Sequence, residues 1–230
     1  MNGIVRAILL FAVLADGGCG RRMLYEWRDE PYLRPVYAAG ALAARERMGS
    51  RFADERDIGC RVLSVIGREA ARAGDTEKAR EIARILIQHC EHEASPAVRS
   101  VIIALCLRNV GAENVQVHEF LRARLAFGGE SASAAYTLAA LQVPGAFEAI
   151  VARYRVVGDY GLKYELLGAL WLLGDARGVG VLEEALADIE LSWTPWPKKI
   201  HHMPREKCAA ALRSRVETLR AASAATAGVR

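Results

Sequence analysis

Residues 160–188, YGLKYELLGALWLLGDARGVGVLEEALAD, carry two apolar-periodic runs separated by Gly174-Asp175. Leu162, Leu166, Leu167, Leu170 and Leu173 recur at three- and four-residue steps, and Val179, Leu182, Leu186 and Ile189 repeat that spacing after the break. The pattern predicts a helical hairpin with one apolar seam. A lone hairpin leaves that seam in water, so it needs neighbours of its own kind, which predicts a stacked helical array. With 52% hydrophobic residues in 230, the chain has material for a sizeable core, and its sparse proline and aromatic content favours an all-α fold over a sheet. The net charge of +4 comes from arginines interleaved with acids, the pattern of solvated helix faces, so no nucleic-acid partner is expected.

Ahead of Val36 the sequence reads differently. Ile4 to Ala15 is apolar apart from Arg6, too short to span a bilayer and of the length of a signal-peptide core. It is followed by Asp16-Gly17-Gly18-Cys19, where composition turns from apolar to charged. Small residues before a cysteine, after an apolar run, resemble a bacterial lipoprotein signal. Asp16 departs from that pattern, which has an apolar residue three before the cysteine. The resemblance implies that 1–18 is removed and that Cys19 is lipidated, while 19–35 reads as a tether ahead of the first helix, since Pro31 and Pro35 disfavour helix in the residue before each. The alternative is a buried first helix with Cys19 as a loop thiol.

Helices are predicted from Val36 to Met48, closed by Gly49-Ser50, and from Asp57 to Ala73, ending at Gly74-Asp75. A third places Ala79, Ile82, Ala83, Leu86, Ile87 and Cys90 on one face, with Asp75 as N-cap and His89 and His92 in the last turn, where a cation suits the helix dipole. Ser95-Pro96 reads as an N-cap with proline at the first helical position, opening a helix that ends at Gly111. The next runs from Glu113 to Phe127 and is ended by Gly128-Gly129. Ser131 to Gln142 and Gly145 to Val157 form another hairpin, with Phe147, Ile150, Val151 and Tyr154 facing inward.

Ala140, Leu141, Val143, Gly145 and Ile150 align with Ala169, Leu170, Leu172, Gly174 and Val179, each 29 positions later, while residues 97–129 form a longer unit, which predicts a period of about 30 residues with loose spacing. Glu165 to Asp188, ELLGALWLLGDARGVGVLEEALAD, resembles a short bacterial HEAT repeat of the PBS-lyase HEAT-like kind. In that family an Ala-Leu helix ends at Leu-Gly-Asp, and a valine-containing helix follows before Leu-x-x-Ala-Leu. Residues 95–125 and 131–157 resemble it more weakly, and 57–92 suits a tetratricopeptide-like hairpin equally well. The resemblance implies a right-handed α-solenoid of HEAT/armadillo type over 36–188, and implies an architecture more than an activity.

Past Asp188 the period breaks. Residues 189–204 hold Trp193, Trp196, Lys198, Lys199, His201 and His202 among three prolines, Pro195, Pro197 and Pro204, a loop whose paired indoles and cations suit a partner protein, an anionic head group or a polyanion. The alternative is that both indoles fold over the end of the array. In 205–230 a last helix to Ala222 carries Cys208, Leu212 and Leu219 on one face and caps the stack, and the tail from Ala221 is expected to fray.

Other candidates have plainer readings. His89, Cys90 and His92 match no closed zinc spacing, and Cys90 continues an apolar stripe. Cys90 and Cys106 stand about 15 Å apart along their helices, beyond the roughly 7 Å that a disulfide bridges, so Cys60, Cys90, Cys106 and Cys208 are expected as buried free thiols. Tyr136, Tyr154, Tyr160 and Tyr164 fit either a concave face or a core edge. No H-E-x-x-H, G-x-S-x-G, P-loop or G-x-G-x-x-G occurs, so no catalytic residue, cofactor or metal is assigned. The sequence reading is therefore a non-catalytic interaction scaffold, anchored in the cell envelope through Cys19 and binding an unidentified protein. Its rival is a cytosolic accessory enzyme, bilin-lyase-like, built on the same repeats.

Overall fold

The structure, a computed structural model, describes residues 32–191 and 204–227. Cys19, the signal-like segment and the Trp193, Trp196, Lys198, Lys199, His201 and His202 loop lie outside the described residues. Those described are all helical, with no strand among them. In chain order they are α1 (Leu33–Met48), α2 (Ala53–Arg72), α3 (Thr76–His92) and α4 (Pro96–Val101), which passes through a π-helical turn, Ile102–Cys106, into α5 (Leu107–Val110). Then come α6 (Val115–Arg124), α7 (Gly128–Ala140), α8 (Ala146–Val156), α9 (Tyr160–Leu173), α10 (Gly178–Leu191) and α11 (Arg205–Ala227). No helix among them is long and apolar enough to cross a membrane.

Two compact units divide the chain, one ending at Val143 and the other beginning at Pro144. In the first, α2 packs on α1, on α3 and on the α4–α5 helix, which in turn packs on α7, while α6 lies against α3 and α7. Gly59 permits the closest approach: a Cβ there would stand 2.5 Å from Ala44 O and 2.8 Å from Met48 N, so only a hydrogen lets α1 and α2 meet backbone to backbone. In the second unit α9 packs on α8 and α10, and α10 on α11.

Helix starts follow capping chemistry. The side chains of Asp75, Ser95, Asn114 and Asp159 accept backbone N–H groups of the turn that follows, Asp75 Oδ1 from Lys78 N at 3.1 Å and Ser95 Oγ from Val98 N at 3.4 Å among them. Several expected boundaries move. Pro35 does not delay α1, because it sits in the first turn, where a backbone N–H has no helical acceptor to lose. Gly128 and Gly129 open α7 rather than end α6. α11 runs through Ala227, past the expected fray at Ala221, since alanine favours helix without any packing contribution. The π turn was not anticipated, and one of its carbonyls, Ile103 O, accepts Thr137 Oγ1 of α7 at 3.0 Å.

Helix starts and buried positions recur at 32 residues, a constant spacing where a loose one of about 30 was expected. Ser95, Phe127 and Asp159 precede α4, α7 and α9 at intervals of 32, and burial keeps the same phase. Ile102, Ala134 and Leu166 are fully buried, as are Ile103, Ala135 and Leu167, and Cys106, Leu138 and Leu170. Ala146, Ile150 and Val157 of the following segment answer to Gly178, Leu182 and Ile189, all buried. The shorter alignment paired exposed Ala140 with buried Ala169, because similar Ala-Leu letters occupy different faces. Nor does α9 have a single seam: Tyr164, Gly168, Ala169 and Trp171 are buried beside the leucines, the mark of a helix packed on more than one side.

Candidate functional site

Two arginines drawn into helix packing, Arg56 in the first unit and Arg215 in the second, have different surroundings. In the first, the turn between α3 and α4 places Glu93, its side chain 1% exposed, opposite Arg56 of α2, and the pair is bidentate at 2.7 Å through both carboxylate oxygens. Glu93 also accepts Ser95 N at 2.7 Å and lies 3.2 Å from His89 Nε2. The Arg56 hydrogen bonds, with that of Ser95, hold the Glu93 carboxyl down to about 2 against the opposing effect of burial. Burial lowers His89 below its ordinary value, opposed by Glu93. One helix further, Glu130 in the first turn of α7 receives Arg99 Nε at 2.6 Å and Arg124 Nη1 at 3.2 Å, and Arg124 lies over Phe120 and Phe127. These acids join α2, α3, α4, α6 and α7.

In the second unit a half-buried arginine has aromatic neighbours. The α9 residues Tyr160, Tyr164 and Trp171 fall on one helical face at steps of four and seven. Arg215 of α11 lies over Tyr164 and Trp171, its Cζ 5.2 and 5.4 Å from their ring centroids. Arg215 Nε and Nη1 are shielded from solvent and have no hydrogen-bond partner, and the same holds for Trp171 Nε1, Tyr154 OH and Arg205 Nη2. Lys163 Nζ sits 5.4 Å from the Tyr154 ring and 5.8 Å from that of Tyr160. Burial, with Asp188 and Glu184 nearby, pushes the Tyr154 hydroxyl up to about 12. Two other arginines of the unit pair with acids at its surface: Arg177 bonds Asp175 and Glu148 while covering Phe147, and Arg220 bonds Glu183.

No family model, curated protein or solved structure matches this chain. What the chain does must therefore be argued from its own residues.

Of the sequence candidates, the four tyrosines separate by burial: Tyr154 and Tyr164 are core residues, whereas Tyr136 and Tyr160 are half-buried. Cys60, Cys90, Cys106 and Cys208 are buried free thiols, and burial pushes Cys90 and Cys106 up to about 12 and Cys208 to about 11. Among the described residues no group of three or more His, Cys, Asp or Glu could hold a metal. His89 turns to Glu93, and His92 Nδ1 lies 2.8 Å from Gln88 O. Sequence reasoning passed over Arg215. The signal for it was available: Cys208, Leu212, Arg215 and Leu219 form one stripe, and an arginine stands where the stripe asks for an aliphatic residue.

Proposed function

We propose that the chain is a non-catalytic interaction scaffold, an α-solenoid of HEAT-like helix pairs held at a bacterial membrane through lipid on Cys19. The observation that carries the architecture is the 32-residue recurrence of helix starts and of buried positions over residues 95–189. A chain that repeats a helix pair in constant phase buries each seam against the next, and such arrays leave long side surfaces for partners. The packing of α2, α4–α5 and α7 in succession, with α3 against α6, is the arrangement that two rows of stacked helices require within the first unit. One such surface is a cleft of about 380 Å³ between α3 and the start of α6, lined by Glu77, Arg80, Glu81, Arg84 and Val115. Its ion pairs are exposed, so they re-pair with a partner's charges at little cost.

Excision of one full period, residues 128–159, tests the array. A solenoid closes over the gap and keeps a cooperative helical melt by circular dichroism, whereas a fold with a single non-repeating core loses it. Membrane attachment is tested by fractionating cells that express Cys19→Ser. The variant is expected in the soluble fraction, and its retention with membranes would sink the lipid anchor. For the contact loop, crosslinked partners captured by the wild type should diminish with Trp193→Ala and Trp196→Ala. Undiminished capture removes that loop from the interaction.

A further inference from the structure

We propose that Arg215, with Trp171, forms a receiving site for a small oxyanion, a carboxylate or phosphate group, in the second unit. Arg215 stands in the inward stripe of α11, between Leu212 and Leu219, both buried. A guanidinium keeps its proton under all ordinary conditions, so those of its N–H groups that are covered from solvent call for an acceptor. Tyr164 and Trp171 meet its charge through their rings, but a ring face accepts none of the N–H bonds that radiate in the guanidinium plane. Nε and Nη1 have no partner, and neither does the indole N–H of Trp171, a residue 5% exposed.

The charge balance selects the ligand. Arg215 and Trp171 both offer donors, so a ligand bringing further donors gains nothing, and one bringing anionic oxygen satisfies several groups at once. Five of the unit's acids are engaged elsewhere: Glu148 and Asp175 hold Arg177, Glu183 holds Arg220, and Asp188 and Glu184 act on Tyr154. The anion is therefore received at the Arg215 end of the aromatic face, away from the Tyr154 hydroxyl. Because Nε and Nη1 are covered, the arginine shifts on its flexible stem as the anion enters, and the half-buried state of Arg215 leaves it room to do so.

The test is thermal unfolding of the full chain, titrated separately with inorganic phosphate and with acetate, with ionic strength held constant by sodium chloride. At a concentration of about a hundred times Kd the preferred anion raises Tm by about 5–10 °C. Arg215→Met fits the apolar stripe and is expected to fold but to show no rise. In parallel, the Arg215 Nε–H resonance of nitrogen-15-labelled wild type, assigned by its absence from Arg215→Lys, moves with saturation, which keeps the test available if Arg215→Met misfolds. Preference for acetate marks a planar carboxylate ligand, and preference for phosphate a tetrahedral one. The proposal is overturned if neither anion moves the resonance or Tm of the wild type, or if Arg215→Met responds as the wild type does.

Discussion

Arg56 and Arg215 are both arginines drawn into helix packing, one in each unit, and their surroundings differ in kind. Arg56 meets a buried carboxylate in a bidentate pair and also bonds the Ser50 and Arg51 carbonyls, each at 3.0 Å. Arg215 meets two aromatic rings, and two of its nitrogens lack an acceptor. A paired buried charge is costly to break but specifies which elements lie together, whereas a buried charge without an acid is a liability for stability alone. The first arrangement belongs to the fold. The second answers the charge with rings but leaves two N–H-bearing nitrogens without an acceptor, which is why it is the better place to look for a ligand.

The largest expected effect is at Glu93. Glu93→Ala leaves Arg56 and Ser95 N–H without their carboxylate and should destabilise the first unit by roughly 3–5 kcal/mol in urea unfolding. A cost below about 1 kcal/mol would erase the contrast between the two arginines. Acid titration follows in size. With a folded pKa of about 2, below the ordinary value of 4.5, ionised Glu93 contributes fully above about pH 5, and its contribution drains away as pH falls toward 2. The loss amounts to about 3 kcal/mol. Glu93→Gln should flatten that acid limb, and an unchanged limb would place the sensitivity elsewhere.

Arg215→Met, measured in the same urea assay without added anion, should lie between no change and a gain of about 1 kcal/mol, because an apolar chain replaces a half-buried guanidinium with two covered nitrogens that lack an acceptor. A loss as large as that of Glu93→Ala would show that Arg215 is structural after all. The smallest effects lie at the helix ends. α9 ends on Gly174 at φ +71°, and α7 is followed by Gln142 at φ +55°, the corresponding left-handed position 32 residues earlier. Gly174→Ala should cost about 1 kcal/mol, and Gln142→Gly should cost nothing or gain a few tenths, as read by Tm.

Local chemistry made much of the fold legible. Asp75 and Ser95 cap the helices they were expected to cap, and Cys208, Leu212 and Leu219 line the buried face of α11. The spacing looked loose in sequence because Ala and Leu serve both buried and exposed positions, so the letters of one pair of segments align at 29 while burial aligns at 32. The π turn was illegible for a related reason. It is matched by a hydroxyl from Thr137, 34 residues after the carbonyl it bonds, and no local propensity carries that information. Arg215 was legible in principle, as a charge inside an apolar stripe, but the stripe alone says only that the residue faces inward.

Sequence by itself determined that the chain is helical and where most helices begin, because capping and side-chain periodicity act within one or two turns of a residue. Tertiary structure decided what each inward face meets. Arg56 finds Glu93, 37 positions away, and Arg215 finds Trp171 rather than an acid. The physical reason is that helical periodicity fixes the direction in which a side chain points, while its neighbour is set by how separate helices pack, and packing is a property of pairs that no single segment contains.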